Sequence, residues 1–535
     1  NYGTLFQFDP LTNVFTKKID FFATNGSFPH GSLMQSSDGK LYGMTKLGGA
    51  VMGNGILFQY DPLTNNLVNK FEFDNGLHGG EPFGTFMQAS DGKLYGLSEN
   101  GINYSGVMFQ YDPVASTLDN KIAFGEALNG AAPANKLLMA SNGMLYGMTS
   151  YGGAINKGTL FKYNPGTHVY TKIMEFDYNT TGGIPYSALI ETPDGMLYGT
   201  TRDGGANNNG VLFQYDPVNN VYTNKHNFVQ TATGQMPWGS LLYATDGNLY
   251  GMTQHGGINF DGTLYQYNPA TNACTKKADF DGVNASNAVG SLMQASDGKL
   301  YGTPATIIQY DPVTDIFIKK ESFVTAINGI IPLGSLIQTP DNKFYGMTGL
   351  GGTNNLGVLF QYDAAADTIN NMIDFAGITN GSKPAGSLLL ASNGNLYGMT
   401  SQGGTNNLGV IFQYDPLSHV YTKKMDFTGA NGSTPSSVSG GLIEVPAILA
   451  GLNEKNVIGV MKIYPNPCDG NLKIQYNALK SNEGLSIKMT DILGKEVLIE
   501  KYKEEINISS LENGIYFLGL YQSNNLIETK KIIKQ

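Results

Sequence analysis

The stretch SDGKLYGMTKLGG at residues 37–49 decides the fold, because it recurs along most of the chain. It returns as SDGKLYGLSENG at 90–101, SNGMLYGMTSYGG at 141–153 and SNGNLYGMTSQGG at 392–404. A second landmark, LFQYDP or a close variant, follows these copies and also begins at Leu5. The spacing is roughly 52 residues, except for one shortened unit near 301–312. Self-similarity at this period predicts one supersecondary unit per repeat.

Each unit is predicted to contain four short strands. Examples are GSLMQSS (31–37), KLYGMT (40–45), GVLFQYD (357–363) and VYTKKMDF (420–427). The Asp-Gly pair between the first two strands predicts a tight type I′ hairpin. The apolar third strand is typical of a buried central position, and the Lys/Thr alternation of the fourth is typical of an exposed edge. Repetition of four antiparallel strands predicts an all-β fold, namely a β-propeller of about eight to nine four-stranded blades.

The two ends of the repeat region predict how the ring of blades closes. SGGLIEVPA (439–447) reads as one further first strand, and residues 3–8 and 14–22 read as a third and a fourth strand. We expect these segments to combine in one blade. Because the chain begins without Met and within a repeat, we expect it to lack its original N-terminus, which would supply that blade's second strand.

The recurring motif predicts structure rather than chemistry. Asp38 of one copy is Asn142 and Asn393 in others, and Asp61 is replaced by Asn164. Such a change would abolish a general acid, a base or a metal carboxylate, whereas Asp and Asn serve alike in turns. The glycine pairs lack the strand-to-helix context of a phosphate loop, and no zinc or calcium pattern is present. We therefore expect no metal and no cofactor.

Composition excludes several classes of partner. Charged residues make up 14% of the chain and the formal net charge is −10, which argues against nucleic acid and against an anionic membrane surface. No apolar run approaches the roughly 20 residues of a membrane helix. Cys274 and Cys468 fall in different predicted domains, so no disulfide is expected.

Function is expected where the copies differ, on the face that carries the longer connections between strands. Arg202 is the only arginine of the chain and Trp238 its only tryptophan. Together with neighbouring variable positions they define a candidate ligand site: Tyr151, Tyr186, Arg202, Asp203, Trp238 and His255. Aromatic faces beside Arg and Asp suit a sugar or a peptide. One alternative is that the aromatics only fill gaps between blades and that the lone arginine reflects a Lys-rich composition. Another is that His255 and Asp203 form a hydrolytic pair, for which no Ser or Cys nucleophile context is present.

The repeat region resembles known families. The order Gly-Gly followed by Tyr-Asp-Pro-x-Thr-Asn is similar to the kelch repeat, with Phe15, Tyr170 or Tyr222 where kelch favours Trp. Units reading SLxxxSDGxLYGMTxxGGxxNxGxLFQYDP more closely resemble the GloVer tandem repeats of bacterial surface proteins. This resemblance covers the predicted propeller domain, residues 1–446, and implies a repeat fold without implying an activity.

The character of the chain changes after a predicted linker at 447–460. Short alternating strands over 461–535 predict a small C-terminal β-sandwich. This segment resembles the type A sorting domain of the type IX secretion system of Bacteroidetes. The matching residues are Tyr464, Pro465, Asn466, Pro467, Asp491, Gly494, Lys495, Gly514, Ile515, Tyr516 and Lys531 to Lys534. The resemblance implies export across the outer membrane, cleavage of the domain, and attachment to the cell surface or release; the alternative is a sandwich that binds rather than sorts.

These observations predict a secreted or cell-surface monomer, handled by the type IX secretion machinery, that binds or adheres to an extracellular glycan or protein. A polysaccharide-active hydrolase or lyase, with its site at the mouth of the propeller channel, is the alternative. Such an enzyme would need two carboxylates, or His with Tyr, within hydrogen-bond reach of one cleft. A spacer without any ligand is a third hypothesis. The sequence favours binding over catalysis.

Overall fold

A computed structural model describes residues 2–50, 53–101, 104–125, 127–282, 292–303, 306–320, 323–327, 329–435, 441–445, 461–464, 470–476, 485–491, 496–511, 514–522 and 525–534. The chain divides into two compact units, one of Asn1–Asp61 with Asn65–Glu444 and one of Val445–Gln535 with Pro62–Thr64. The predicted linker at 447–460 lies outside the described residues. Every element in the described ranges is a β-strand, and these ranges contain no helix long and apolar enough to cross a membrane.

The first unit is built from sheets of consecutive strands. The smallest sheet pairs β1 (Thr4–Asp9) with β2 (Val14–Asp20). The larger sheets are β3 (Ser27–Gln35), β4 (Leu41–Leu47), β5 (Ile56–Asp61), β6 (Asn66–Glu72); β7 (Gly80–Gln88), β8 (Leu94–Asn100), β9 (Val107–Asp112), β10 (Thr117–Ala123); β11 (Ala131–Met139), β12 (Leu145–Tyr151), β13 (Thr159–Asn164), β14 (Val169–Glu175); and β15 (Ile190–Glu191), β16 (Leu197–Thr201), β17 (Val211–Asp216), β18 (Val221–Asn227). They continue with β19 (Gln235–Pro237), β20 (Leu242–Tyr243), β21 (Leu249–His255), β22 (Thr263–Asn268), β23 (Ala273–Asp279); β24 (Met293–Gln294), β25 (Leu300–Gly302), β26 (Ile308–Asp311), β27 (Ile316–Lys319); β28 (Ile330–Gln338), β29 (Phe344–Leu350), β30 (Val358–Asp363), β31 (Thr368–Asp374); and β32 (Ser382–Leu390), β33 (Leu396–Gln402), β34 (Val410–Asp415), β35 (Val420–Asp426).

The predicted four-strand unit is confirmed. In the β3–β6 sheet the strands lie side by side in chain order and pair antiparallel. The central strands β4 and β5 are buried at nearly every position, whereas β6 at the edge is exposed at several. The shortened repeat keeps the same order in β24–β27. Its second and third strands are shorter, with three paired positions between β25 and β26 against five between β4 and β5.

The type I′ turn predicted at Asp-Gly is wrong. Asp38 does not have a positive φ; only Gly39 does, at 80°. The Gly39 N–H donates to Ser36 O at 2.8 Å and the Ser36 N–H donates to Lys40 O at 2.9 Å, which encloses a three-residue loop ending in a left-handed glycine. Asp38 favours this turn because its Oδ1 accepts the Lys40 N–H at 3.0 Å.

The motif tyrosine explains why Asp and Asn interchange in this turn. The buried Tyr42 hydroxyl donates to Asp38 Oδ2 at 2.8 Å and accepts Gln59 Nε2 at 2.6 Å. In another copy the direction reverses, because Asn142 Nδ2 donates to Tyr146 Oη at 3.0 Å. A hydroxyl can donate or accept, so either side chain satisfies it. These contacts give the motif a structural role.

Neighbouring sheets are joined by recurring aromatic pairs. A tyrosine of a second strand meets a tyrosine in the third strand of the next sheet, as Tyr42 meets Tyr111 with ring centroids 5.8 Å apart. A phenylalanine just after a fourth strand meets the aromatic residue of the next third strand, as Phe73 meets Phe109 at 5.1 Å. The same two contacts therefore link one unit to the next.

The β1–β2 sheet makes these contacts on both sides. Phe8 of β1 lies 5.9 Å from Tyr397 of β33, and Phe6 lies 6.0 Å from Phe427, which follows β35. On its other side, Phe21 lies 5.1 Å from Phe58 of β5. The β1–β2 sheet thus contacts both the β3–β6 sheet and the β32–β35 sheet, which is the last sheet of the first unit.

The segment predicted as an extra first strand begins outside the described residues, and 441–445 has no strand assignment. Its Glu444 carboxylate accepts the Ser392 N–H at 2.9 Å and the Ser392 hydroxyl at 2.5 Å. Glu191 of β15, a first strand, accepts the N–H and hydroxyl of Ser141 in the same way. Glu444 therefore occupies the position of a first-strand residue toward the last sheet.

The C-terminal unit contains two sheets. One consists of β36 (Met461–Tyr464), β37 (Asn471–Tyr476) and β40 (Glu505–Asn507), and the other of β38 (Leu485–Asp491), β39 (Glu496–Lys501), β41 (Gly514–Gln522) and β42 (Asn525–Lys534). Both sheets contribute to one apolar core, which includes Leu472, Ile474, Ile487, Met489, Leu518 and Leu520. The two sheets of this unit therefore share one apolar core.

Strand β22 carries a fully buried tyrosine, and the neighbouring strand β23 carries a partly buried cysteine. Tyr265 stands where β5, β9, β13 and β17 carry phenylalanine, and its hydroxyl finds no hydrogen-bond partner among the described residues. The nearby Cys274 is a free thiol, and burial raises its pKa to about 12. Cys468 lies outside the described residues.

We expect Tyr265→Phe to stabilise the protein by about 1–2 kcal/mol, because it removes a buried hydroxyl that has lost water without gaining a partner. The measurement is the urea midpoint of the full chain. Tyr267→Phe is the matched control and should shift the midpoint the other way, because the Tyr267 hydroxyl donates to Asn272 Oδ1 at 2.9 Å. A Tyr265→Phe midpoint below that of the parent would contradict the assignment.

Candidate functional site

The first strand is interrupted in two neighbouring sheets. It is continuous over nine residues in β7 and in β32. In the β19–β23 sheet it is split into β19 and β20, and Trp238 lies directly after β19. In the β15–β18 sheet only β15 and an isolated bridge between Gly183 and Asp203 remain, and Tyr186 lies between them. Tyr186 follows Pro185 and Trp238 follows Pro237, and neither Tyr186 nor Trp238 lies within a regularly paired strand.

Tyr186 and Trp238 lie against each other. Their ring centroids are 4.9 Å apart and their planes are inclined by 15°, which is a parallel stack. Both side chains are half-buried, so the pair keeps contact with solvent. Stacking holds the two large rings in a fixed relative orientation, which lowers the entropy cost of ordering them around a ligand.

Arg202 lies beside both rings. Its guanidinium carbon is 5.7 Å from the centroid of Tyr186 and 5.7 Å from that of Trp238. Arg202 Nε donates to Asp203 Oδ1 at 3.0 Å, and this bond raises the pKa of Arg202 above its usual value. The guanidinium is therefore held by a carboxylate and lies within cation–π distance of both rings.

Tyr151, at the end of β12, extends the group toward the preceding sheet. Its hydroxyl lies 3.3 Å from that of Tyr186, and 40% of Tyr151 is exposed. The hydrogen bond with Tyr151 raises the pKa of Tyr186 above the usual value near 10. The Tyr186 hydroxyl thus stays protonated at neutral pH.

Five of the six predicted site residues therefore come together, and we call them the aromatic–arginine cluster: Tyr151, Tyr186, Arg202, Asp203 and Trp238. His255 ends β21 opposite Gln235, and its carbonyl accepts the Thr253 hydroxyl at 2.9 Å. No hydrogen bond joins His255 to Asp203 in the described structure, where the Asp203 carboxylate bonds Arg202. The described ranges also hold no group of three or more His, Cys, Asp or Glu side chains suited to a metal ion.

Contacts between sheets position the cluster. Ser150 Oγ donates to Pro185 O at 3.1 Å, which ties β12 to the residue before Tyr186. Ile184 and Met236, each directly before a proline, have positive φ values of 55° and 56°. Their N–H groups donate across to the preceding sheet, to Lys157 O and Asn209 O at 2.9 Å each. Sequence reasoning missed these residues; the signal available was the proline that recurs near the start of the first strand in most repeats.

Other repeats carry different side chains at the positions equivalent to those of the cluster. Lys46 corresponds to Arg202, and its Nζ lies 3.2 Å from Glu81 Oε2 and 3.4 Å from Glu99 Oε2. Phe83, which corresponds to Trp238, is partly buried against the core of its neighbours. The fold therefore accepts an ion pair or an aromatic residue at these positions, and the stacked pair with a guanidinium is a property of this part of the chain.

Fold and site together define an all-β tandem-repeat protein with a separate C-terminal β-sandwich. The chain belongs to the Gloeobacter/Verrucomicrobia repeat family, whose model matches residues 1–138, 50–233, 179–305 and 303–446. A secretion system C-terminal sorting domain matches residues 462–535. This domain identifies the protein as secreted or displayed on the cell surface and implies handling by the type IX secretion system. No curated protein matches the chain.

Distant similarity to solved structures is also found. PorZ, a surface component of the type IX secretion system of Porphyromonas gingivalis, is 12% identical, with 99% of this chain and 79% of PorZ covered and a TM-score of 0.35. The extracellular domain of BT4673 from B. thetaiotaomicron is 11% identical, with 100% and 78% covered and a TM-score of 0.34. Dipeptidyl peptidase 4 of P. gingivalis is 10% identical, with 82% and 63% covered and a TM-score of 0.45. These scores are too low to carry an argument about function.

The residues predicted from the sorting motif are described in part. Tyr464 ends β36, and Gly514 and Tyr516 lie at the start of β41, where Tyr516 is buried and pairs in register with Asp491. Pro465, Asn466, Pro467, Gly494 and Lys495 lie outside the described residues. The described motif residues therefore lie in or beside the two sheets of the C-terminal unit.

Proposed function

We propose that this protein is an extracellular binding or adhesion module that holds a glycan or a protein at the aromatic–arginine cluster. The observation that carries the proposal is the half-buried stack of Tyr186 on Trp238 beside the guanidinium of Arg202. Flat aromatic faces beside a fixed charged group are suited to sugar rings and to peptide groups. Because all five side chains come from one chain, the site is complete in a monomer.

The geometry favours binding over hydrolysis or elimination. Asp203 is the one carboxylate of the cluster, and it is bonded to Arg202 at 3.0 Å. A hydrolase of polysaccharides needs a pair of carboxylates at the scissile bond, and a lyase needs a base with a pKa near the working pH. Tyr186 does not meet the second requirement, because its pKa is raised.

We also propose that the repeat region is a kelch-like β-propeller with nine blades. Support comes from the recurring aromatic pairs, which connect each sheet with the next and return from the last sheet, through Phe8 and Phe6, to the first. In this arrangement β1, β2 and the segment around Glu444 belong to one blade, so both chain ends of the repeat region close the ring. The cluster would then lie on the face that carries the longer connections between strands.

The proposed binding role is tested with the full chain on a glycan array and on immobilised extracellular proteins. We expect Trp238→Ala to weaken binding of any ligand found by about tenfold or more, because it removes the larger ring of the stack. Phe83→Ala is the matched control, since it removes an aromatic side chain from the equivalent position of another sheet and should leave binding unchanged. Equal binding by the parent and Trp238→Ala would show that the ligand binds elsewhere.

A further inference from the structure

We propose that the aromatic–arginine cluster recognises a carboxylate, so that its ligand is a glycan that contains uronic acid residues. This inference rests on the proposed function, because it concerns the same cluster and narrows the class of ligand. Three properties of the cluster carry it: the choice of arginine, the kind of polar groups left unpaired, and the aromatic surface beside them.

The first property is the use of arginine. The chain carries 33 Lys and Arg side chains, and Arg202 is the single arginine among them. Lysine presents a compact charge on a flexible stem, whereas arginine presents a planar fork of N–H groups that matches both oxygens of a carboxylate. A lysine would serve for charge alone, as Lys46 does beside Glu81 and Glu99. A guanidinium at this one position indicates that fork geometry is needed there.

The second property is the balance of hydrogen-bonding groups. Asp203 holds Arg202 through Nε, and the two terminal nitrogens of the guanidinium donate no hydrogen bond within the described residues. Trp238 Nε1 likewise has no acceptor in the described part of the chain, and the Asp203 side chain is only 12% exposed. Apart from the Tyr151 and Tyr186 hydroxyls, which can donate or accept, the polar groups that remain available beside the rings are thus mainly donors. A ligand rich in acceptors, above all a carboxylate, complements them.

The third property separates a uronic acid from an acidic peptide. The Tyr186–Trp238 stack presents rigid aromatic surface within 5.7 Å of the guanidinium carbon. In a uronic acid the carboxylate is attached directly to the sugar ring, so one ligand residue can place its ring on the aromatic surface and its carboxylate on Arg202. The carboxylate of Asp or Glu is carried on a flexible stem with no sugar ring attached to it. The cluster therefore fits the uronic acid better.

The test measures binding of the full chain to polygalacturonate, polymannuronate and glucuronoxylan, and to the same polymers after chemical reduction of their carboxyl groups. We expect at least one acidic polymer to bind and its reduced form to bind about tenfold more weakly or worse, because a charge-assisted bidentate contact is lost. Arg202→Lys keeps the charge but not the fork and should cause a similar loss on the acidic polymer only. Lys46→Ala, at the equivalent position of another sheet, should bind like the parent; thermal unfolding of each variant confirms that it folds.

Other outcomes overturn the inference. If a reduced polymer binds as well as its acidic form, or if Arg202→Lys binds like the parent, the carboxylate is not what is recognised. In that case a neutral glycan whose binding is lost in Trp238→Ala would leave the proposed function intact. If only acidic peptides bind, the ligand class is wrong, and if no glycan or protein binds at all, the proposed function fails as well.

Discussion

Gly147→Ala is expected to destabilise the protein by about 3 kcal/mol, the largest single-residue effect that we predict. Gly147 lies in β12 directly opposite Phe161 of β13, whose ring crosses over it. A β-carbon at Gly147 would lie 2.4 Å from Phe161 Cζ and 3.0 Å from Leu137 Cδ2. Both neighbours are buried in a core to which β8, β11, β12 and β13 contribute, so neither can move without disturbing it.

The same motif supplies the control. Gly143, four residues earlier in SNGMLYG, has a φ of 77°, and a β-carbon added there would meet no atom within 4 Å. Gly143→Ala should therefore cost only the left-handed backbone strain, about 1 kcal/mol. Urea midpoints of both variants measure the difference. Equal losses would mean that both glycines serve the backbone alone and that the Phe161 ring can move aside.

Deletion of residues 1–22 is expected to expose the far end of the repeat region. This deletion removes the β1–β2 sheet, whose Phe8 and Phe6 cover Tyr397 and Phe427 more than 380 residues away in the chain. We expect backbone amides of residues 396–427 to exchange about tenfold faster with deuterium, because their covering sheet is lost. Amides of 27–61 should also exchange faster, since Phe58 loses Phe21.

Peptides from 197–216, in the middle of the repeat region, serve as the internal reference. Because β16 and β17 contact only their neighbours, their exchange should not change. Unchanged exchange at 396–427 would contradict a closed ring of sheets. Faster exchange everywhere would show that the whole unit has unfolded, and the milder Phe8→Ala variant would then be measured at the same peptides.

The repeat unit was predictable because the residues at equivalent positions of the repeats can be compared with one another. Asp38 and Asn142 alternate in one position, and this alternation alone argues against an acid, a base or a metal carboxylate. The hydrogen bonds agree, since both side chains bond a buried motif tyrosine. The type I′ turn was wrong for a local reason: the Asp38 carboxylate bonds the Lys40 N–H and stabilises a three-residue loop in which only Gly39 is left-handed.

The all-β repeat, its strands, the sorting domain and the identity of the variable positions were all readable from the amino-acid order, because period, turn residues and strand alternation act over a few residues. Which variable positions meet was settled by packing between sheets. Tyr151, Tyr186 and Trp238 come from three neighbouring sheets, and Tyr186 contacts the other two through a hydroxyl distance of 3.3 Å and a ring-centroid distance of 4.9 Å. The His255 carbonyl, by contrast, bonds Thr253 of its own strand. Distances between residues 35 to 52 positions apart depend on how one unit packs on the next, which no local pattern encodes.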